Sequence, residues 1–167
     1  MVSTIGYERA SLPDFIATLK LGEIDILVDI RDRAQSRRPG FSKSALNDAL
    51  AEAGIDYLHL PALGDPKEGR EAARKGNYAQ FRAIFNGVME TSLAREALAE
   101  LENLALNHRI CLMCFERDQT KCHRKMVADH LETSLDLKAR HLGVKEGAGR
   151  TSIRRMRDID QGATASI

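Results

Sequence analysis

The chain has 167 residues, of which 43% are hydrophobic and 29% are charged, and its formal net charge is +1. This length suits one domain and buries roughly 70% of the unfolded surface, so a packed core needs no covalent staples. The near-neutral total excludes a globally basic polyanion binder, and the lack of any apolar run near the roughly 20 residues of a bilayer span leaves no membrane partner to expect.

Val2–Ile5 is a short apolar run stopped by Gly6 and is predicted to be a strand. Met1 leads directly into it, so no signal peptide is expected. Ser11-Leu-Pro-Asp14 opens a helix. Ser11 is placed to cap it, Pro13 is tolerated in the first turn, and Asp14 suits the positive end of the helix dipole. Ile24–Ile30 reads as a second strand. Its contiguous Ile26, Leu27 and Val28 suggest burial on both faces, as in a parallel sheet.

Ser42 starts a second helix with Leu46, Ala49, Leu50 and Ala53 on one face, and Gly54 ends it. Ile55–Leu60 is a third strand, stopped by Pro61. Residues 62–76 read as a polar, Gly- and Pro-bearing loop, long enough for a lid or binding loop. Two helices follow, one carrying Tyr78, Phe81, Ile84 and Phe85 at helical spacing, the next Leu93, Leu98, Leu101 and Leu104. Arg109–Cys114 is a fourth strand, Cys122 to about Thr133 a helix, and a short strand follows near Lys138–Leu142. Residues 145–167 are polar and predict a tail that is mobile or docked on a partner. One domain is therefore expected over residues 1–144.

The order βαβαβααβαβ predicts an α/β, three-layer Rossmann-like fold with a mostly parallel central sheet of four to five strands. In such folds ligands bind beyond the carboxyl ends of the strands. Gly6-Tyr7-Glu8, Asp29-Ile-Arg31, His59 and Cys114-Phe-Glu116 all fall at those ends and are expected to converge on one rim.

The segment from Cys114 to Arg124 is the densest in reactive groups. It joins a strand to a helix start, where unpaired N–H groups and partial positive charge favour a thiolate or a bound anion. Cys114, Cys122, Glu116 and Asp29 are the catalytic candidates. Glu116 suits acid, base or acceptor roles, and Arg124 adds a cation with bidentate reach. Each also has a purely structural reading: Cys114 as packing, Glu116 with Arg124 as an ion pair, His123 as a surface group or an internal hydrogen bonder. Cys111 lies within the strand and reads as core.

Three clustered cysteines are not a disulfide framework, so a reduced, cytoplasmic setting is expected. Cys114 and Cys122 are eight apart, without the spacing of common zinc sites, so no metal is expected. A phosphate loop of the cysteine phosphatases would need Cys114 and Arg124 closer together. No G-x-G-x-x-G occurs, and no cofactor is expected.

The second constellation runs from Asp29 to Phe41. Arg31, Arg33, Arg37 and Arg38 fall within eight positions and make a local anion site despite the neutral total. The alternative is a solvated loop whose acids and arginines pair locally. Gly6, Arg31, Arg37, Arg38, His123 and Arg124 are the ligand-binding candidates.

Thr4-Ile-Gly-Tyr-Glu8, Val28-Asp-Ile-Arg31, Ser36-Arg-Arg-Pro-Gly-Phe-Ser-Lys43, Gly54-Ile-Asp-Tyr57 with Leu63-Gly64, and Cys114-Phe-Glu-Arg with Cys122-His-Arg124 together resemble the DUF488 family. The resemblance runs from about residue 4 to 142. It implies a domain of unknown function marked by two C-terminal cysteines, here Cys114 and Cys122. Many members have Gly-His-Ser at the first turn where this chain has Gly6-Tyr-Glu, so no histidine role transfers to that position.

Three functions compete. The first is an enzyme binding a phosphorylated, nucleotide or nucleic-acid-type ligand at the sheet rim, with Glu116 or Asp29 in acid–base work. The second is a thiol-based redox or metal-binding protein using Cys114 and Cys122. The third is a non-catalytic binding module. Substrate and oligomeric state are not written in the sequence.

Overall fold

Apolar side chains alternate between two faces along each strand, and that alternation decides which helices cover which side. The computed structural model describes residues 1–150. Its strands are β1 (Val2–Gly6), β2 (Ile26–Asp29), β3 (Asp56–His59), β4 (Ile110–Cys114) and β5 (Arg140–Leu142). They form one sheet in the order β3-β2-β4-β1-β5, and every neighbouring pair is parallel. The helices are α1 (Leu12–Leu21), α2 (Lys43–Glu52), α3 (Lys67–Arg74), α4 (Tyr78–Met89), α5 (Ser92–Asn107) and α6 (His123–Leu135). The expected three-layer α/β fold is therefore present, with five strands in the sheet.

The all-buried β4 shows the alternation. Ile110 and Leu112 pack with Phe85 of α4, Leu98 and Leu101 of α5, and Val127 and Leu131 of α6. Cys111 and Met113 pack with Phe15 and Leu19 of α1 and with Leu46 and Leu50 of α2. Helices α1 and α2 thus cover one face and α4, α5 and α6 the other. Cys111, odd in register with Cys114, is a buried free thiol on the α1–α2 side.

This layering opens a crevice at the rim of the sheet. The chain leaves β1 and β2 toward the α1–α2 face, and it leaves β4, which lies between them, toward the α6 face. Loops on either side of the β4 carboxyl end therefore diverge and open a cleft there.

Local expectations were met in most elements. Ser11 caps α1, its Oγ accepting from the Asp14 N–H at 3.3 Å. Ser42 precedes α2 but does not cap it; its hydroxyl donates to Ser36 O at 3.3 Å and accepts from Ser36 N–H at 3.1 Å, closing the arginine loop on itself. The loop expected over residues 62–76 is instead a 3₁₀ turn, Pro61–Leu63, followed by α3. That helix buries only Gly69 and Ala72, so it has no apolar stripe for periodicity to register.

The start of the polar tail docks on α1, where Gly147 and Gly149 N–H groups donate to the Asp14 carboxylate at 3.0 and 2.9 Å. The rest of the tail, expected to be mobile or docked on a partner, lies outside the described residues. No described helix is long and apolar enough to cross a membrane.

Candidate functional site

At the end of β2, Asp29 and Arg31 are fully engaged with each other. Arg31 Nε donates to Asp29 Oδ1 at 2.9 Å and its Nη2 to Oδ2 at 2.7 Å, a buried bidentate pair. The remaining nitrogen of Arg31, Nη1, donates to Tyr7 Oη at 3.1 Å and to Phe41 O at 2.8 Å. Tyr57 Oη donates to Asp29 Oδ2 at 2.6 Å. Burial and this bond to a carboxylate push the Tyr57 phenol well above its usual range. Burial alone would lower the Arg31 guanidinium, but the Asp29 bond outweighs it and holds the group charged. The pair seals Asp29 under the rim, while Arg31 also borders the cavity above it.

The turn after β4 is held from inside by Arg124. This residue is 1% exposed. Its Nε donates to Thr4 Oγ1 at 3.2 Å, its Nη2 to Arg117 O at 3.1 Å, and its Nη1 to Glu116 O and toward Cys114 Sγ. It makes no carboxylate ion pair among the described residues, so the Glu116–Arg124 pair weighed from sequence is a main-chain contact instead. Burial pulls the Arg124 guanidinium down to about 10, against the attraction of Glu116.

Gly6 is required beneath this turn. A Cβ there would stand 1.9 Å from Glu116 O, so only glycine lets the turn lie across the end of β1. Cys114 and Cys122 are joined by a disulfide, where free thiols were expected. Cys122 is also the N-cap of α6, its Sγ accepting from Arg124 N–H at 3.5 Å. His123 is buried and donates Nε2–H to Ile30 O at 2.8 Å, because a carbonyl can only accept. Burial depresses it to about 4, so the imidazole is neutral at physiological pH.

These walls enclose a rim cavity of about 590 Å³. Arg31, Arg33 and Arg37 come from the loop after β2, Cys114 and Glu116 from the turn after β4, and Asp65, Arg70 and Arg74 from α3 and its approach. Arg70 pairs with Asp32 at 3.4 Å. No ion pair or side-chain hydrogen bond joins Arg33, Arg37 or Arg74 to another described residue. Desolvation raises the Glu116 carboxyl above its ordinary value, with Arg124 opposing.

Comparison with known families adds one result. Residues 11–131 match the family model described as domain of unknown function DUF488. The chain belongs to the DUF488 family. No curated protein and no solved structure gave a match.

Within this DUF488 domain, the structure brings Arg31, Arg37, Cys114, Glu116 and His123 to one cavity. Four other sequence candidates lie apart from it. Asp29 is sealed beneath, Gly6 underlies the turn, and Arg124 supports the turn from the core. Arg38 turns the other way, its guanidinium donating to Ala10 O. Cys122 lies behind the cavity wall, bonded to Cys114 and in contact with His123.

Sequence reasoning missed Asp65, Arg70 and Arg74. A helical signal was present in Pro66 before the first turn, in Lys67 and Glu71 four apart, and in Gly76 just past the end. Given that helix, Arg70 and Arg74 fall on one face. Among the described residues, Cys114, Cys122 and His123 are the one group of possible metal ligands within 4.8 Å of one another. The two sulfurs are bonded to each other, which leaves them poor donors to an ion.

Proposed function

We propose that this DUF488 protein is an enzyme that binds a phosphorylated or nucleotide-type ligand in the rim cavity. One observation carries the reading: Arg33, Arg37 and Arg74, none paired with a described residue, line a cleft at the carboxyl ends of the strands together with Glu116. Guanidinium forks match phosphate oxygens, and such a cleft concentrates anions. With both Asp29 oxygens occupied by Arg31 and Tyr57, acid–base work falls to Glu116. Its carboxyl, half-buried in the turn, is raised by desolvation toward the range a proton-transfer group needs.

Thermal-shift measurements with AMP, ADP, inorganic pyrophosphate and a short single-stranded oligonucleotide test this. At least one should raise the Tm of the wild type, and Arg33→Ala with Arg37→Ala should remove the shift while leaving the unliganded Tm nearly unchanged. Absence of a shift with all four would sink the reading.

A second reading rests on the Cys114–Cys122 bond at the cavity edge. A disulfide that opens and recloses there would serve thiol redox chemistry. Quantifying thiols with and without a mild dithiol reductant tests it. Two additional titratable thiols after reduction, lost again on reoxidation, support it; a constant count excludes it.

A further inference from the structure

Asp65 follows the 3₁₀ turn at Pro61–Leu63 and leads into α3. It lines the rim cavity, yet the residue is only 7% exposed. Its Oδ1 is covered and has no hydrogen-bond partner. The backbone of α3 closes over that atom, since a Cβ on Gly69 would stand 2.0 Å from it. Arg70 donates to the Asp65 main-chain carbonyl at 2.6 Å and to Asp32 Oδ2, not to the Asp65 carboxylate.

An ionised carboxylate buried without a donor is costly, and the neutral acid is the form that such a site accommodates. The charged groups around it come from three elements. Arg31, Asp32, Arg33 and Arg37 follow β2, Glu116 follows β4, and Arg70 and Arg74 lie on α3. His123 at the start of α6 is neutral there. Burial first, then the negative charges of Glu116 and Asp32, push Asp65 up to about 7, with Arg70 opposing them.

We propose that Asp65 enters the complex as the neutral acid and donates its proton in a hydrogen bond to the oxyanion held by the cavity arginines. The proposal rests on the reading of this cavity as an anion site and adds to it a proton-carrying residue. The chemistry follows from donor count. An unprotonated phosphate oxygen only accepts, so a neutral carboxyl is a fitting partner for it and an ionised one is repelled. The cavity therefore holds an anion and a proton together, and the ligand class is an oxyanion with at least one unprotonated oxygen.

Titration calorimetry of the full chain with inorganic pyrophosphate from pH 6 to 8.5 tests this, comparing wild type with Asp65→Asn. The titration of pyrophosphate itself is common to both chains. Relative to Asp65→Asn, wild-type affinity should fall about tenfold for each pH unit above 7. Parallel curves overturn the proposal and leave the anion site standing. No pyrophosphate binding at any pH removes both. Should Asp65→Asn fail to fold, carbon-13 NMR of the wild-type Asp65 carboxyl gives the same answer. A midpoint near 7 that rises on adding pyrophosphate supports the proposal, whereas a midpoint near the ordinary carboxylate value of about 4 overturns it.

Discussion

Asp65 and His123 sit on the same cavity and respond to pH in opposite senses. Asp65 is raised to about 7 in the fold, above its unfolded value of about 3.9. Its protonated form therefore favours the fold below about pH 4, and that contribution is lost as pH rises to 7. His123 is depressed to about 4, below its unfolded value of about 6.5, so its contribution is present above 6.5 and is lost as pH falls toward 4. Between these limits the two slopes oppose each other, and the wild type shows little of either. Single variants separate them. The stability of wild type relative to Asp65→Asn should decline by about 2 to 4 kcal/mol from pH 4 to 7. The same difference taken against His123→Gln should rise over pH 4 to 6.5. Urea unfolding at stepped pH measures both, and a flat difference for Asp65→Asn would show that its carboxyl is ordinary. Neither charge state was legible in the sequence. Asp65 is raised because α3 and two separate loops close around it, and His123 is depressed because its ring turns inward to Ile30 O.

At the scale of elements, legibility followed burial. β1, β2 and β4 are buried along their whole length; β2 and β4 announced themselves as contiguous apolar residues, whereas β1 buries Ser3 and Thr4 between Val2 and Ile5. α1, α4, α5 and α6 each bury a side-chain stripe and were read from its spacing, α6 as Cys122 to about Thr133 against His123–Leu135 in the fold. α3 was not, because its contribution to the fold is polar: it supplies Arg70 and Arg74 to the rim and a bare backbone at Gly69. The disulfide was equally hidden, since eight residues in sequence say nothing about how a turn folds back. Gly69 is where α3 can be tested. Alanine is the better helix former by about 1 kcal/mol, so an exposed glycine-to-alanine change would stabilise the helix. Here the added Cβ meets Asp65 Oδ1, the covered oxygen of a buried side chain. Gly69→Ala should instead destabilise the protein by about 1 to 3 kcal/mol in urea unfolding. In the double variant with Asp65→Ala the helix gain should reappear. A stabilising single variant would show that Asp65 is free to move aside.

The whole molecule combines a nearly neutral total with a strongly basic rim. A net charge of +1 gives little long-range attraction, so any hold on an anion comes from the local field of Arg33, Arg37, Arg70 and Arg74 within the cleft. The topology creates this concentration, because loops from β2, from β4 and from the start of α3 meet near the β4 carboxyl end, where neighbouring connections diverge to opposite faces. The cluster after β2 was visible as a run of arginines, but the share from α3 became visible only with the helix. A local field and a global one make different predictions. Lys20→Glu at the exposed end of α1 takes the formal net charge from +1 to −1 yet lies outside the cavity lining. It should change pyrophosphate affinity by no more than about twofold at 0.1 M salt, where the Debye length is about 10 Å. Arg37→Glu makes the same change in total charge inside the cleft and should weaken binding by about a hundredfold, the loss of two or so kcal/mol per disrupted charge-assisted bond. Equal effects from the two reversals, measured by titration calorimetry, would mean that the ligand responds to the charge of the whole protein and that the rim cavity is not its site.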